Sequence, residues 1–197
     1  MKNKILDKCI LFLQKYNDYS KKDIQKLRYG LEGIYLTITK MIFILLLSLI
    51  LGIFKEVVLV FIFFNILRFF GFGFHAEKSS ECLIMSTINF VLLPLLLLKV
   101  SFPFIVDMSI SVLCIIVFFL FAPADTIKRP LNNKKKRIIR KILTVLTGIL
   151  YMILIIIFKN YYIRPILLSS LIIQAIVVSP ITYFLARQPY NNYKKAN

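Results

Sequence analysis

Apolar residues in this chain are gathered into long runs separated by short polar segments, among them Met41–Phe54 (MIFILLLSLILGIF), Leu83–Leu98 (LIMSTINFVLLPLLLL) and Ile142–Phe158 (ILTVLTGILYMILIIIF). Extended by a partly polar turn at each end, such runs reach the ~20 residues that cross a hydrocarbon layer as a helix. The pattern predicts an all-α, polytopic membrane protein with six transmembrane helices at about 31–54, 56–73, 83–99, 103–122, 142–158 and 163–186. Lys40 would lie about 10 Å below Gly33 at 1.5 Å per residue, so the first span is expected to begin late. Pro94 and Pro180 each remove a backbone donor and are expected to kink their spans.

Ahead of the spans, Ile5, Leu6, Cys9, Ile10, Leu13 and Tyr16 recur at helical spacing, with Lys4, Lys8 and Lys15 on or beside the other face. That spacing predicts an N-terminal amphipathic helix, seated on anionic lipid or on the protein's own loops. With no internal repeat, residues 1–197 read as one membrane domain: a cytoplasmic N-terminus at 1–30, four spans over 31–122, a basic loop at 123–141, and two spans with a tail over 142–197.

Composition sharpens this picture. An apolar fraction of 59% exceeds what a soluble core of 197 residues absorbs, and the mean hydropathy is +0.79. A net charge of +17 would suggest nucleic acid in a soluble protein, but membrane proteins retain Lys and Arg in cytoplasmic loops, so no nucleic-acid partner is expected. Most basic residues fall in 1–30, 74–82, 123–141 and 187–197, against Lys55, Lys99, Lys159 and Arg164 on the opposite side. Both termini are therefore expected in the cytoplasm of a multi-pass bacterial cell-membrane protein. No cleavable signal peptide is expected, because the first thirty residues lack a continuous apolar stretch. Cys9, Cys82 and Cys114 are too few and too scattered for a disulfide framework or a thiolate zinc site.

Candidate chemistry concentrates in Arg68–Cys82, RFFGFGFHAEKSSEC, which holds the chain's one histidine, His75. On a single straight helix His75 and Cys82 would share a face but stand about 10.5 Å apart, beyond hydrogen-bond reach. Gly71 and Gly73 allow the second span to end, and Ser79 is placed to cap the third, which would set Cys82 at a helix N-terminus. A free thiol of pKa about 8.5 is only a few per cent thiolate at neutral pH, and a helix dipole or an imidazolium raises that fraction. His75 can then serve as base to Cys82 and as acid to a leaving amine; Glu77 and Glu81 are candidates to orient it, but carboxylates beside the thiol also disfavour a thiolate, and no third catalytic member is assigned. Mixed ligation of a metal by His75, Glu77, Glu81 and Cys82 is a poor match to known sites, and neither metal nor cofactor is expected.

RFFGFGFHAEKSSEC and a second stretch, APADTIKRPLNNKKKR (Ala122–Arg137), together resemble the two signature loops of the accessory gene regulator B (AgrB) family of quorum-sensing peptide processors. The resemblance spans most of the chain. It implies a membrane-embedded cysteine endopeptidase that removes the C-terminal part of an AgrD-type propeptide and cyclises the remainder through an acyl-enzyme thioester. Cys82 matches the nucleophile and His75 the catalytic histidine, while Arg68 and Gly73 match positions that place substrate or shape the site. Many members carry Gly-Gly before the histidine, where this chain has Gly71-Phe72-Gly73-Phe74. Membrane lipids and a second copy of the chain are further expected partners.

Other readings weigh against this one. The basic run from Lys128 to Lys141 is foremost a topology-setting loop, and can also attract an acidic propeptide tail or lipid headgroups. Asp125 reads as a helix cap after the fourth span or, second, as a substrate contact. A small transporter using Arg68, His75 and Glu77 as a polar relay would need more polar residues in the spans than Asn89 and Asp107. A non-catalytic scaffold binding partners through the basic loops is the third reading.

Overall fold

The computed structural model describes residues 2–15, 19–76, 79–100, 102–126, 130–158 and 162–194. Expectations resting on Tyr16, Glu77, Lys78, Lys128, Arg129, Lys159 and Lys195, and on the side chain of Ser79, lie outside the described residues. The described residues form helices α1 (Lys2–Gln14), α2 (Lys21–Ile50), α3 (Phe54–Gly71), α4 (Ser79–Thr87), α5 (Leu93–Lys99), α6 (Phe104–Phe121), α7 (Lys134–Ile157), α8 (Ile163–Val178) and α9 (Pro180–Leu185). A π-helical turn, Ile88–Leu92, joins α4 to α5.

Among the described residues, four helical stretches are long and apolar enough to cross a membrane: Lys22–Ile50, Ser80–Lys99, Phe104–Phe121 and Lys134–Ile157. Helix α3 carries Lys55, Glu56 and Arg68 near its ends, and α8 is shorter, at 16 residues. The outward faces are apolar, with Ile105, Leu113, Phe119, Leu146 and Leu150 all exposed. So much uncovered apolar surface suits lipid and not water.

The chain divides into two compact units, residues 1–46 and 47–197, with the boundary inside α2. In the first unit, Leu6 and Ile10 of α1 are buried while Ile5, Leu11 and Phe12 are exposed. Arg28 of α2 pairs with Asp7 of α1 at 3.1 Å. Ser20 starts α2: its hydroxyl accepts from the Asp23 N–H at 3.3 Å and donates to the Asp23 carboxylate at 2.6 Å. That exchange satisfies one of the donors a helix start leaves open and puts negative charge at the positive end of the dipole.

In the second unit α8 is the central helix. It packs against α3, α5, α6 and α7, and Ile166, Leu167, Leu168, Leu171, Ile173 and Val178 are all buried. A helix apolar on every side has no face for water and ends up enclosed. Polar lacing supplements this packing: the Tyr151 hydroxyl of α7 donates to the Phe63 carbonyl at 2.9 Å, and the Ser170 hydroxyl of α8 donates to the Val60 carbonyl at 3.3 Å.

The two prolines act differently from simple kinks. Leu93 N–H donates to the Ile88 carbonyl, five residues back, one position before Pro94. The wider turn accommodates a ring that would otherwise meet the carbonyl four residues earlier. At Pro180 the helix stops altogether: Ser179 is extended, with ψ 134°, and its hydroxyl accepts from the Ile181 N–H to start α9.

The basic run after α6 is also unlike the expected loop. Lys134, Lys135, Lys136, Arg137, Arg140 and Lys141 occupy the first turns of α7, which starts at Lys134 because the Asn133 side chain caps it, accepting from the Lys136 N–H at 3.1 Å. Asp107 of α6 and Arg164 of α8 form a buried ion pair, with a cavity of about 60 Å³ beside it. Removing one partner strands a charge away from water. Asp107→Ala should therefore destabilise the protein by about 3–5 kcal/mol, read as a lowered melting temperature in detergent. The double variant Asp107→Leu/Arg164→Met should recover most of the loss.

Candidate functional site

Helix α3 stops at Gly71 and α4 starts at Ser79, and residues 72–76, which hold His75, are not helical. The break is built from the α3 end outward. Phe72 has φ 51° and ψ −137°, a left-handed conformation that a side chain resists, and Gly73 has φ 123°, which only glycine takes readily. Strain of this kind costs about 1–3 kcal/mol per residue and persists only where surrounding bonds hold it.

Here the bonds are numerous. The Arg68 guanidinium reaches forward one turn and donates to two carbonyls, Phe72 at 2.7 Å and Phe74 at 2.6 Å. Gln174 of α8 donates to the same Phe72 carbonyl at 3.1 Å. Gly73 N–H donates to the Ala124 carbonyl at 2.8 Å, and Ala124 N–H returns the bond to Gly71 at 3.1 Å, an isolated parallel bridge between the two signature stretches. Phe74 N–H donates to the Val177 carbonyl at 2.7 Å, at the last turn of α8.

Arg140 closes the other side of the turn. Its guanidinium donates to the Phe69 carbonyl at 2.7 Å and lies 4.3 Å over the Phe72 ring. A cation at a helix C-terminus satisfies open carbonyls and complements the dipole.

The expected site residues fall into this frame unevenly. Arg68 and Gly73 converge on the turn that carries His75. The His75 side chain is exposed and its carbonyl accepts from the Gln188 amide at 3.3 Å. Cys82, half-buried, is the fourth residue of α4 and lies in its first turn. Cys9 is exposed and Cys114 buried. Glu77 is outside the described residues.

Asp125 has a different job from the expected cap. Its carboxylate accepts three backbone N–H groups: Leu131 at 3.2 Å, Asn192 at 2.9 Å and Tyr193 at 2.7 Å. The C-terminal segment is thereby drawn onto the second signature stretch. Tyr190 adds a hydroxyl bond to the Phe121 carbonyl at 3.1 Å. Burial, with Tyr193 and Asp125 adding to it, pushes the Tyr190 phenol up to about 12, so it stays a donor at physiological pH. Arg137 lies 3.7 Å over the Tyr193 ring.

Gln174, Gln188, Tyr190 and Asn192 were not singled out from the sequence, and Arg140 was read only as a member of the basic run. Their one visible signal was polarity beside or inside apolar runs, and Gln174 within the last span was the clearest instance.

A helical membrane protein with a broken helix, a histidine in the break and a half-buried cysteine in the next first turn is the class these features define. The profile described as Accessory gene regulator B matches residues 6–178. Among relatives, an AgrB-like protein of Clostridium acetobutylicum is 30% identical over 190 residues, covering 96% of this chain and 91% of that protein. An AgrB-like protein of Listeria monocytogenes serotype 4a is 33% identical over 175 residues, 86% and 83% of the two chains. Accessory gene regulator protein B of Staphylococcus aureus is 29% identical over 182 residues, 92% and 95%. No solved structure matches. The chain belongs to the accessory gene regulator B family.

The crowding at Gly73 yields a direct test. A Cβ there would press on the Arg68 guanidinium and sit 2.6 Å from the Val177 carbonyl oxygen. Gly73→Ala should destabilise by at least about 2 kcal/mol through φ strain and overlap, seen as a lower melting temperature. Arg68→Lys should not substitute for the guanidinium, because one ammonium lacks the planar fork that reaches two carbonyls.

Proposed function

We propose that this protein is a membrane-embedded cysteine endopeptidase that cuts an AgrD-type propeptide and cyclises its N-terminal part, in the service of agr quorum sensing. The observation that carries this reading is the helix break between Gly71 and Ser79. It separates His75 from α3 and sets Cys82 in the first turn of α4, so that the thiol and the imidazole lie on either side of the break. Membership of the family, and relatives named for the accessory gene regulator, supply the substrate class.

In the proposed cycle His75 takes the Cys82 proton, and the thiolate adds to the carbonyl carbon of the scissile peptide bond. The C–N bond breaks as the imidazolium protonates the departing amine, leaving a C–S thioester on Cys82. A Cys or Ser within the bound peptide gives its proton to His75 and attacks the thioester. A thiolactone or lactone ring closes, and Cys82 leaves as the thiolate. Thioester exchange is close to balanced, so the protein's work is to hold the internal nucleophile near and keep water out. Arg68 and Gly73 shape the turn under His75, and Glu77 is assigned to orienting the imidazole or the substrate.

The same reading puts six spans in the bacterial cell membrane by adding α3 and α8–α9 to the four long apolar helices. The charged residues of α3 lie near its ends, and α8 is enclosed by its neighbours, so neither need meet lipid with a polar face. Both termini and the His75 turn then face the cytoplasm, where a newly made propeptide arrives, and α1 rests on anionic lipid. A homodimer is part of the proposal. The polar-relay alternative gains nothing from Asp107, whose charge is matched by Arg164.

Co-expression with an AgrD-type propeptide tests the reading. Wild type should yield a shortened peptide whose mass is 18 Da below that of the linear fragment, ~18 Da being the water lost on ring closure. Cys82→Ala and His75→Ala should each abolish the product while leaving membrane levels unchanged, and Cys9→Ala and Cys114→Ala should retain it. Continued cleavage by both active-site variants would refute the protease assignment.

A further inference from the structure

Three consecutive residues ending at His75 are each tied to a different part of the chain. Gly73 is bonded to Ala124. Phe74 is bonded to Val177, and its ring meets Tyr183 edge-on at 5.7 Å. The His75 carbonyl accepts from Gln188.

These ties share one root. Ala124 is the chain neighbour of Asp125, and the Tyr183 hydroxyl donates to the Asp125 carbonyl at 3.0 Å. Gln188 belongs to the segment whose Asn192 and Tyr193 N–H groups end on the Asp125 carboxylate. Asp125 itself is 3% exposed. A buried carboxylate is costly unless donors surround it, and here the donors come from two separate stretches of chain. Its solvation thus requires the C-terminal segment to be docked.

We propose that Asp125 is a positioning residue for His75: it docks the segment 188–194, and Gln188 in that segment fixes the backbone from which the imidazole projects. The proposal rests on the reading of His75 and Cys82 as base and nucleophile. An exposed imidazole on a loose turn would visit Cys82 in a fraction of its conformations. Docking the turn on three sides raises that fraction without any contact to the reacting atoms.

Asp125→Asn is the discriminating substitution, because it preserves shape and replaces one acceptor oxygen by an NH₂ group. Oδ2 accepts from Leu131 and Tyr193 and Oδ1 from Asn192, so either orientation of the amide turns a donor toward a donor. The experiment uses the full chain in nanodiscs with Cys9→Ala and Cys114→Ala, leaving Cys82 as the thiol that iodoacetamide can reach. Alkylation at pH 7 and deuterium exchange of the 188–194 segment are measured for this parent and for added His75→Ala, Asp125→Asn and Gln188→Ala.

Loss of the imidazole should slow alkylation roughly tenfold, the gap between an assisted thiol and one mostly protonated. Asp125→Asn should slow it several-fold and speed exchange of the segment. Gln188→Ala should slow alkylation with an unchanged melting temperature, and Asp125→Asn added to His75→Ala should slow it no further. A merely loosened fold would expose Cys82 and speed alkylation. If Asp125→Asn frees the segment yet alkylation stays at the parent rate or rises, while His75→Ala slows it, the positioning role is overturned and the base–nucleophile pair stands. Unchanged exchange in Asp125→Asn overturns the docking role. An unchanged alkylation rate in His75→Ala removes the pair, and the proposal with it.

Discussion

Backbone carbonyls at the end of a helix in apolar surroundings must find donors, and around the end of α3 backbone N–H groups serve only Arg68 and Gly71, from Phe72 and Ala124, while side chains serve Phe69, Phe72 and Phe74. Arg140 takes Phe69, Arg68 takes Phe72 and Phe74, and Gln174 shares Phe72. Without them α3 could end this deep in protein only by leaving polar groups unpaired, at about 1–3 kcal/mol each. With them the chain leaves the helix through a left-handed Phe72, turns at Gly73 and presents His75 outside the regular structure. Every feature of the candidate site is downstream of that termination.

Much of this was legible in the residues. The apolar runs gave the helices because only a helix satisfies its own backbone in lipid, and the Gly-x-Gly spacing before His75 marked where one had to stop. What could not be read was which groups would enforce the stop. Arg140 and the lysines beside it look like a topology signal, since a cluster of positive charge between apolar runs already has a sufficient reason to exist. Asp125 looks like a cap for the same reason: aspartate next to a helix end is common. Hydrogen bonds between residues 60 or 100 positions apart leave no periodicity behind them. The extent of the expected loop at 123–141 erred on similar grounds, because α7 begins in a run of lysines that hydropathy assigns to water but an Asn133 cap assigns to a helix.

The arginines show how one residue type is put to two uses. Arg137 and Arg140 belong to the basic run expected to hold the segment in the cytoplasm, yet their guanidinium planes also lie over Tyr193 and Phe72. Lysine would supply the same charge for orientation but not the flat, weakly hydrated fork that can stack and donate together. A tally of positive charge by segment therefore conceals which of those charges are structural.

Helix α8 links the two ends of the second unit. Its N-terminal Arg164 pairs with Asp107, and its C-terminal Gln174 and Val177 receive the Phe72–Phe74 turn. The thirteen steps from residue 164 to residue 177 span about 20 Å at 1.5 Å per residue, and the helix is enclosed along that length. A buried ion pair costs as much in desolvation as it returns in attraction, so its value here is in register: it fixes how far α8 can slide along α6. Because an enclosed helix moves as a rod, fixing one end fixes the other to within side-chain slack. The height at which Val177 meets Phe74 is thus set some 20 Å away, in a part of the protein with no chemistry of its own.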